Sequence, residues 1–341
     1  MRLLITGCGA HSKSLVRSLK NNYEERDVFV IGINNNEKNI LRTEVDEYCI
    51  CPGIYADNYI SWLTEYCIAM DVDIILPYIT AELPILSYYK NTVEKCGVKV
   101  SVSNPQSLNV ANDKIAMAKR YGKLMPKQTV VEKPEEVYEF AKSVGYFKGD
   151  HDVCAKINSS CGGTGFVILD ERKWLDITSF NKRGVPRYMS IDQLCEIAAK
   201  VDTKIILQEY VPGTDYSVCV LAKDGEVQTM CGIAGYSMEY GAVMTGEIIK
   251  NEKAYQLSEE IVKDLYLDGN VCFDFIVKDD GTPVLLECNP RINASIPFIA
   301  EAGIDLVYLR CKQLLGEDIP KDIDYNYGLK MVKYYESHFY K

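Results

Sequence analysis

The 341-residue sequence predicts an α/β protein. Two features carry that expectation. Over residues 1–110, apolar strand-like runs alternate with segments of helix length, the pattern of parallel strands joined by crossover helices. From about residue 206 onward strand-like runs dominate, and they end in a hairpin whose arms flank an Asp-Gly turn.

Taken in order, LLIT opens the chain and a helix follows over about 13–22. VFVIGIN, a helix near 59–70, DIILPYI, a helix over 84–96 and VKVSV complete a Rossmann-like α/β region. Its first turn, GCGAHS, has Gly7 and Gly9 but places Ser12 where the third glycine of a dinucleotide fingerprint belongs, so both glycines read as mainly structural. Residues 103–114, SNPQSLNVANDK, are polar and turn-rich and read as a boundary, with a helix after them to about Tyr121. VVEKPEEVYEFAKSV predicts a Pro-initiated helix with acidic residues in its first turn, where the helix dipole favours them. Residues 153–170 read as strand, glycine-rich loop, strand, and Ser190 as the N-cap of the helix IDQLCEIAAKV. KIILQEYVPG, YSVCVLAK and EVQTMCGIAG are strands, a helix over 254–265 leads into the hairpin, and a last helix runs near 306–315. The expected division is 1–110, 111–205, 206–320 and a Tyr-rich tail, 321–341, to which no role is assigned.

Bulk properties exclude several classes. A formal net charge of -10 argues against a nucleic-acid surface. No apolar stretch approaches the length of a membrane span, so no membrane partner is expected. MRLLITGCGAH reads as a first strand and not as a signal peptide. The 13 cysteines are scattered, odd in number and without a CxxC pair, and the three histidines His11, His151 and His338 lie far apart. Buried reduced thiols in a reducing, cytoplasmic compartment fit this better than a zinc or disulfide framework.

The hairpin carries the first chemical signal. With Asp280-Gly281 as a two-residue loop, or 279–282 as a four-residue one, paired residues have numbers adding to 561, which sets Asp274 opposite Glu287. Directly opposed side chains lie about 5 Å apart at Cβ, and like charges there are destabilising. Asn289 shares the face of Glu287. Two carboxylates and an amide suit Mg²⁺, although a solvated outer face of the sheet explains the alternation equally well. The second signal is Lys156 at the base of NSSCGGTGF: glycines let backbone N–H groups approach a phosphate, and the lysine supplies a point charge. It is not a P-loop, because G-x-x-x-x-G-K-[ST] is absent.

Asn112–Lys114 (NDK), Lys156 with SSCGGTG, QEYVPGTD, Asp274 and ECNPR, in that order, resemble the ATP-grasp superfamily, most of all enzymes whose unit is similar to that of the carbamoyl-phosphate synthetase large chain and biotin carboxylase. The resemblance implies a preATP-grasp α/β domain (1–110), a small lobe with a glycine-rich lid (111–205) and a C-terminal lobe with the metal site (206–320), the two lobes forming an α+β ATP-grasp fold. It implies ATP, with one or two Mg²⁺ for which Mn²⁺ can substitute. Lys114 and Lys156 match the lysines that contact the phosphates, and Ser159, Ser160, Gly162, Gly163 and Gly165 match the lid. Glu209, Tyr210 and Val211 match the hinge beside adenine, and Asp215 the acid on the ribose, where the family more often has Glu. Asp274, Glu287 and Asn289 match the metal ligands, and Arg291 an arginine that steadies the transferred phosphoryl group or the acyl phosphate.

The implied activity is an ATP-dependent carboxylate–amine or carboxylate–thiol ligase that works through an acyl phosphate on small-molecule acids and amines, with ADP and phosphate released. A bicarbonate- or carbamate-phosphorylating enzyme, a regulatory ATP-binding protein and, last, a nicotinamide-dependent dehydrogenase are the rivals. On the acceptor side, Glu82, Tyr236, Thr245, Asn293 and Ser295 are candidates for which structural roles are favoured, and Arg183 and Arg187 read as a solvated loop. On general grounds a homodimer is the commonest assembly.

Overall fold

Three sheets organise the chain. The computed structural model describes residues 1–38, 44–158, 165–171, 188–200, 204–239, 241–334 and 336–337. The first sheet is parallel, β1 (Arg2–Ile5), β2 (Phe29–Asn34), β3 (Glu47–Ile50), β4 (Ile74–Leu76) and β5 (Lys99–Val100), in the order β3-β2-β1-β4-β5. The apolar residues of β1 alternate between its two faces. Leu3 and Ile5 meet the helix Lys13–Lys20 through Leu15 and Leu19, whereas Leu4 meets the helices Tyr59–Ala69 and Leu83–Glu94 through Leu63 and Leu86. Burial of both faces is what a parallel sheet requires.

The second sheet holds β6 (Gln128–Val131), β7 (Val153–Ile157), β8 (Phe166–Leu169), β9 (Tyr188–Met189) and β10 (Ile205–Glu209), in the order β6-β10-β7-β8-β9. The helices Glu135–Ser143 and Ile191–Ala198 cover one face. Ser190 caps the second as expected: its Oγ accepts from Gln193 N–H, and Gln193 Oε1 accepts from Ser190 N–H, both at 3.1 Å.

The third sheet is antiparallel, with β11 (Thr214–Lys223), β12 (Glu226–Glu239), β13 (Ala242–Ile248), β14 (Gly269–Val277), β15 (Pro283–Asn289) and β16 (Lys330–Val332), in the order β15-β14-β11-β12-β13-β16. The helix Glu252–Leu265 seals one face over Val218, Val220, Phe273 and Phe275. Part of the other face shares a core with the first sheet through the helices Ile296–Glu301 and Leu306–Leu314. Among the described residues no helix is long and apolar enough to cross a membrane.

One expectation is corrected. Residues 103–114 are not turn-rich throughout but contain the helix Pro105–Ala111, because Asn104 accepts from Ser107 N–H at 2.9 Å as N-cap and Pro105 opens the helix. The tail, to which the sequence assigned no role, contributes β16 as an edge strand on β13, with Gly246 opposite Met331.

Candidate active site

The hairpin closes differently from the sequence expectation. Lys278 N–H donates to Thr282 O at 3.0 Å and Gly281 N–H to Lys278 O at 2.8 Å, so the loop is the three residues 279–281, with Gly281 at φ +80°. Val277, Ile276 and Phe275 therefore pair with Pro283, Val284 and Leu285, and that register carried onward would set Asp274 opposite Leu286. A bulge at Leu286 takes up one residue. Beyond it Asp274 faces Glu287, Phe273 faces Cys288 and Cys272 faces Asn289.

The two carboxylates are held as a pair. Asn289 Nδ2 donates to Asp274 Oδ2 at 2.8 Å and to Glu287 Oε1 at 3.1 Å, and Ser217 Oγ donates to Asp274 Oδ1 at 2.6 Å. Burial and the Glu287 charge push the Asp274 carboxyl up to about 6, against the Ser217 hydrogen bond and the field of Arg291. Burial also works against ionisation of Glu287, but Lys114, Lys156, the Asn289 amide and Arg291 outweigh it and hold that carboxyl below its ordinary value. The Glu287 side chain keeps 32% of its surface exposed, so that member of the pair is reachable from solvent. Among the described residues no three His, Cys, Asp or Glu side chains gather. The donor set is thus two carboxylates, and an amide whose half-turn would present Oδ1, all hard oxygens that fit Mg²⁺.

Cations surround this pair. Asp113 caps the helix Lys114–Tyr121, accepting from the N–H groups of Ile115 and Ala116 at 2.8 and 2.9 Å, and this fixes Lys114 in its first turn. Lys114 Nζ lies 3.5 Å from Glu287 Oε2. Lys156, on β7 opposite Phe166, places its ammonium 5.9 Å from that ring and within the field of both Glu287 and Asp215. Burial raises the Asp215 carboxyl, while Lys156 lowers it. Arg291 is fixed on three sides: Nε donates to Thr80 Oγ1 at 2.7 Å, Nη1 to Ile292 O at 3.0 Å and Nη2 to Asn289 Oδ1 at 3.2 Å.

The segment that leaves β10 begins at Glu209, whose carboxylate meets His151 Nδ1 at 3.0 Å. Tyr210 N–H is committed to Asp152 O at 2.8 Å, whereas Val211 N–H has no backbone acceptor among the described residues. Gly165 opens the return strand, its carbonyl accepting from Ile157 N–H at 3.0 Å. Ser159, Ser160, Gly162 and Gly163, and also Arg183 and Arg187, lie outside the described residues. A cavity of about 570 Å³ is lined by Lys127, Glu209, Val211, Lys253 and Lys278, and neither carboxylate of the pair lines it.

The acceptor-side candidates are accounted for by the fold. Tyr236 donates to Glu247 at 2.9 Å, Thr245 bonds Ser237 at 2.8 Å, and Asn293 Oδ1 accepts from Ser295 and Ile296 N–H at 3.0 and 3.1 Å. Glu82 is buried, with Tyr59 donating to it at 3.1 Å and Thr6 on its other oxygen. Sequence reasoning missed Ser217 and Thr80. Ser217 was reachable, since it is the β11 partner of Asp274, but Thr80 is 211 positions from Arg291 and left no signal.

Residues 202–336 match a family model described as ATP-grasp in the biosynthetic pathway with Ter operon, and residues 3–101 match the PylC-like N-terminal domain. The carbamoyl phosphate synthase large chain of Thermoanaerobacter pseudethanolicus is 30% identical over 137 residues, covering 37% of this chain and 12% of that protein. That of Rubrobacter xylanophilus is 24% identical over 248 residues, 67% of this chain and 21% of the relative. The chain therefore spans between an eighth and about a fifth of these relatives. Among solved structures, the ADP complex of purK, N5-carboxyaminoimidazole ribonucleotide synthetase, superposes with TM-score 0.68 at 14% identity over 96% of this chain and 80% of its own. The biotin carboxylase domain of Hydrogenobacter thermophilus 2-oxoglutarate carboxylase, solved with MgADP, ADP and bicarbonate, gives 0.65 at 16% over 93% and 70%. An L-amino acid ligase from Bacillus licheniformis gives 0.64 at 13% over 92% and 74%. An opposed acid pair ringed by two lysines and an arginine, and matches at both ends of the chain, converge on one conclusion: the chain resembles the ATP-grasp superfamily, with residues 202–336 matching an ATP-grasp family model behind a PylC-like N-terminal domain.

Proposed function

We propose that the protein is an ATP-dependent ligase that activates a small carboxylic acid as its acyl phosphate and transfers the acyl group to an amine or thiol. The observation that carries this reading is the acid pair Asp274–Glu287, with Lys114, Lys156 and Arg291 around it. Adenine binding alone needs neither two opposed carboxylates nor three cations, which counts against a regulatory protein without turnover. The relatives solved with ADP or MgADP support the nucleotide and the metal.

In this reading residues 111–205 and 206–320 are the two lobes that close on ATP. Val211 N–H reads the adenine edge, Asp215 takes the ribose, and Lys114 and Lys156 hold the phosphates, with the glycine-rich loop (159–165) as a cover. Mg²⁺ bound by Asp274, Glu287 and Asn289 would neutralise phosphate charge. Arg291, already aligned by Thr80 and Asn289, steadies the phosphoryl group. A carboxylate oxygen of the acid attacks the γ-phosphorus, the bond from that phosphorus to the bridging oxygen breaks, and ADP departs. The nucleophile then attacks the acyl carbon, inorganic phosphate leaves with the C–O electron pair, and the nucleophile loses its proton to solvent. Such chemistry rests on positioning and charge neutralisation, so no Ser-His-Asp nucleophile is needed.

Phosphorylation of bicarbonate or carbamate is the second reading, favoured by the matches to carbamoyl phosphate synthase. The twelve described cysteines are all free thiols, which supports a reducing, cytoplasmic setting. The test is ADP release against a grid of carboxylic acids and amines. Release that requires both partners supports the ligase, and release with bicarbonate alone supports the second reading. Glu287→Gln should abolish the magnesium-dependent signal; unchanged turnover would sink the metal assignment.

A further inference from the structure

The chain crosses between the second and third sheets twice. Residues 122–127 run into β6 from the helix Lys114–Tyr121, whose Met117 packs in the core of the third sheet, and residues 210–213 run from β10 back into β11. Both crossings line the cavity of about 570 Å³, the first through Lys123 and Lys127 and the second through Val211. Its other walls are the start of the helix Glu252–Leu265 and the tip of the β14–β15 hairpin. These walls are pinned to one another. Glu209 N–H donates to Lys127 O and Leu285 N–H to Leu124 O, both at 2.9 Å, and Asn251 Nδ2 donates to Gly281 O at 3.1 Å. The cavity is separate from the acid pair. The helix Glu252–Leu265 covers the face of the third sheet that carries Phe273 and Phe275, and Asp274, between them on the strand, points to the other face.

Four lysines line it: Lys123 and Lys127 from the first crossing, Lys253 from the helix and Lys278 from the hairpin. Among the described residues none of the four meets a carboxylate at ion-pair distance. Two glutamates share the lining, and both are engaged: Glu209 meets His151 at 3.0 Å, and Glu260 accepts from Gln256 at 3.1 Å. Asp280, at the exposed tip of the hairpin, accepts from Thr282 N–H at 2.9 Å and meets Lys278 and Lys253 only through their field. A chain of net charge -10 thus gathers four cations round one hollow without pairing them. Their mutual repulsion is unfavourable, and an anion bound among them relieves it. The kind of anion follows from the donors. Ammonium groups act on phosphate as point charges, and no arginine lines the cavity to fork onto a carboxylate. Leu124, Leu257 and Pro283 add apolar surface, and the volume falls among small-molecule sites, which span about 300–1,000 Å³.

We propose that this cavity is a second ligand site, that it takes a small organic bisphosphate, and that its occupant alters nucleotide affinity by tying Lys123 or Lys127 on the crossing to Lys253 or Lys278 on the third sheet. The binding stands apart from the ligase reading, and only the coupling rests on the nucleotide site of that reading. The probes are fructose, fructose 6-phosphate and fructose 1,6-bisphosphate, titrated calorimetrically into the full chain at low ionic strength with MgADP saturating. Affinity should rise with each phosphate, and Lys253→Met with Lys278→Met should weaken the bisphosphate roughly 10- to 100-fold, the range for charge-assisted hydrogen bonds. Lys253→Arg with Lys278→Arg, which keeps the charge, should recover most of the loss. Lys95→Met with Lys99→Met makes the same change of charge at exposed positions beside the first sheet and should leave affinity within about twofold. The bisphosphate should shift ADP affinity about fivefold or more, and ADP should shift bisphosphate affinity by the same factor. Equal affinity of the three probes, no effect of the Lys253 and Lys278 changes, a matching loss in the Lys95 and Lys99 variant, or binding that MgADP abolishes overturns the site. ADP affinity that the bisphosphate leaves unchanged overturns the coupling. Bisphosphate binding by a chain that does not bind MgADP would keep the site but sink the coupling and the ligase reading together.

Discussion

Glu82 offers the sharpest quantitative test of the fold. Its side chain is 2% exposed, between Tyr59 and Thr6, and burial raises its carboxyl from 4.5 to about 7, against those two hydrogen bonds. The folded chain therefore holds a proton there that the unfolded chain releases near pH 4.5. A raised carboxyl pKa means that stability is fully present below the unfolded value and is lost as pH climbs through the folded one. The gap is about 2.5 pH units, from 4.5 to about 7, which at about 1.4 kcal/mol per unit is on the order of 3 kcal/mol. Glu82→Gln mimics the protonated acid and removes the titration. Urea unfolding followed by intrinsic fluorescence at pH 4.5, 6, 7 and 8 measures both proteins, and subtracting the two curves cancels the other groups. Relative to the variant, wild type should lose ~3 kcal/mol between pH 4.5 and 8, most of it before pH 7. Parallel curves would refute the claim that Glu82 is protonated in the folded state at mildly acid pH.

Three further outcomes are expected. Asp113→Ala removes the cap that fixes Lys114 and should cost about 1 kcal/mol in unfolding free energy, with a raised KM for ATP in the ADP-release assay. Phe273→Ala deletes a fully buried ring behind the acid pair and should cost ~3–5 kcal/mol, read from the shift in the urea midpoint. Ser217→Ala takes away a hydrogen bond that favours ionised Asp274, so that carboxyl should rise above its present value of about 6. Protons should then compete more effectively with Mg²⁺, and calorimetric Mg²⁺ affinity at pH 6.5 should fall in the variant and recover by pH 8.

The alternation of strands and helices over the first hundred residues was legible because each crossover carries its own apolar periodicity, as Leu15, Val16 and Leu19 do on the helix Lys13–Lys20. The helix Pro105–Ala111 was hidden because its cap and first turn, Asn104-Pro105-Gln106-Ser107, also have turn composition, and the apolar residues Leu108 and Ala111 that it buries are few. The short strand β16 was hidden for another reason: Lys330, Met331 and Val332 make an edge strand only because β13 is there to pair with. The acid pair was readable from spacing alone. The anchoring of Arg291 by Thr80 was not, since the two residues stand 211 positions apart and only the tertiary fold unites them.

Asp274 and Glu287 stand thirteen positions apart, an odd interval that allows two antiparallel residues to face each other. That interval can be filled by a two- or four-residue loop with even strands, or by the observed three-residue loop with its surplus residue parked at Leu286. Each delivers the same two side chains to the same place. Substitutions that convert one loop geometry into the other would leave the carboxylates unmoved, so the tip of this hairpin can drift in sequence and shape at no cost to the pair. An alignment of relatives should therefore be anchored on the two acids and their interval, never on the glycine of the turn.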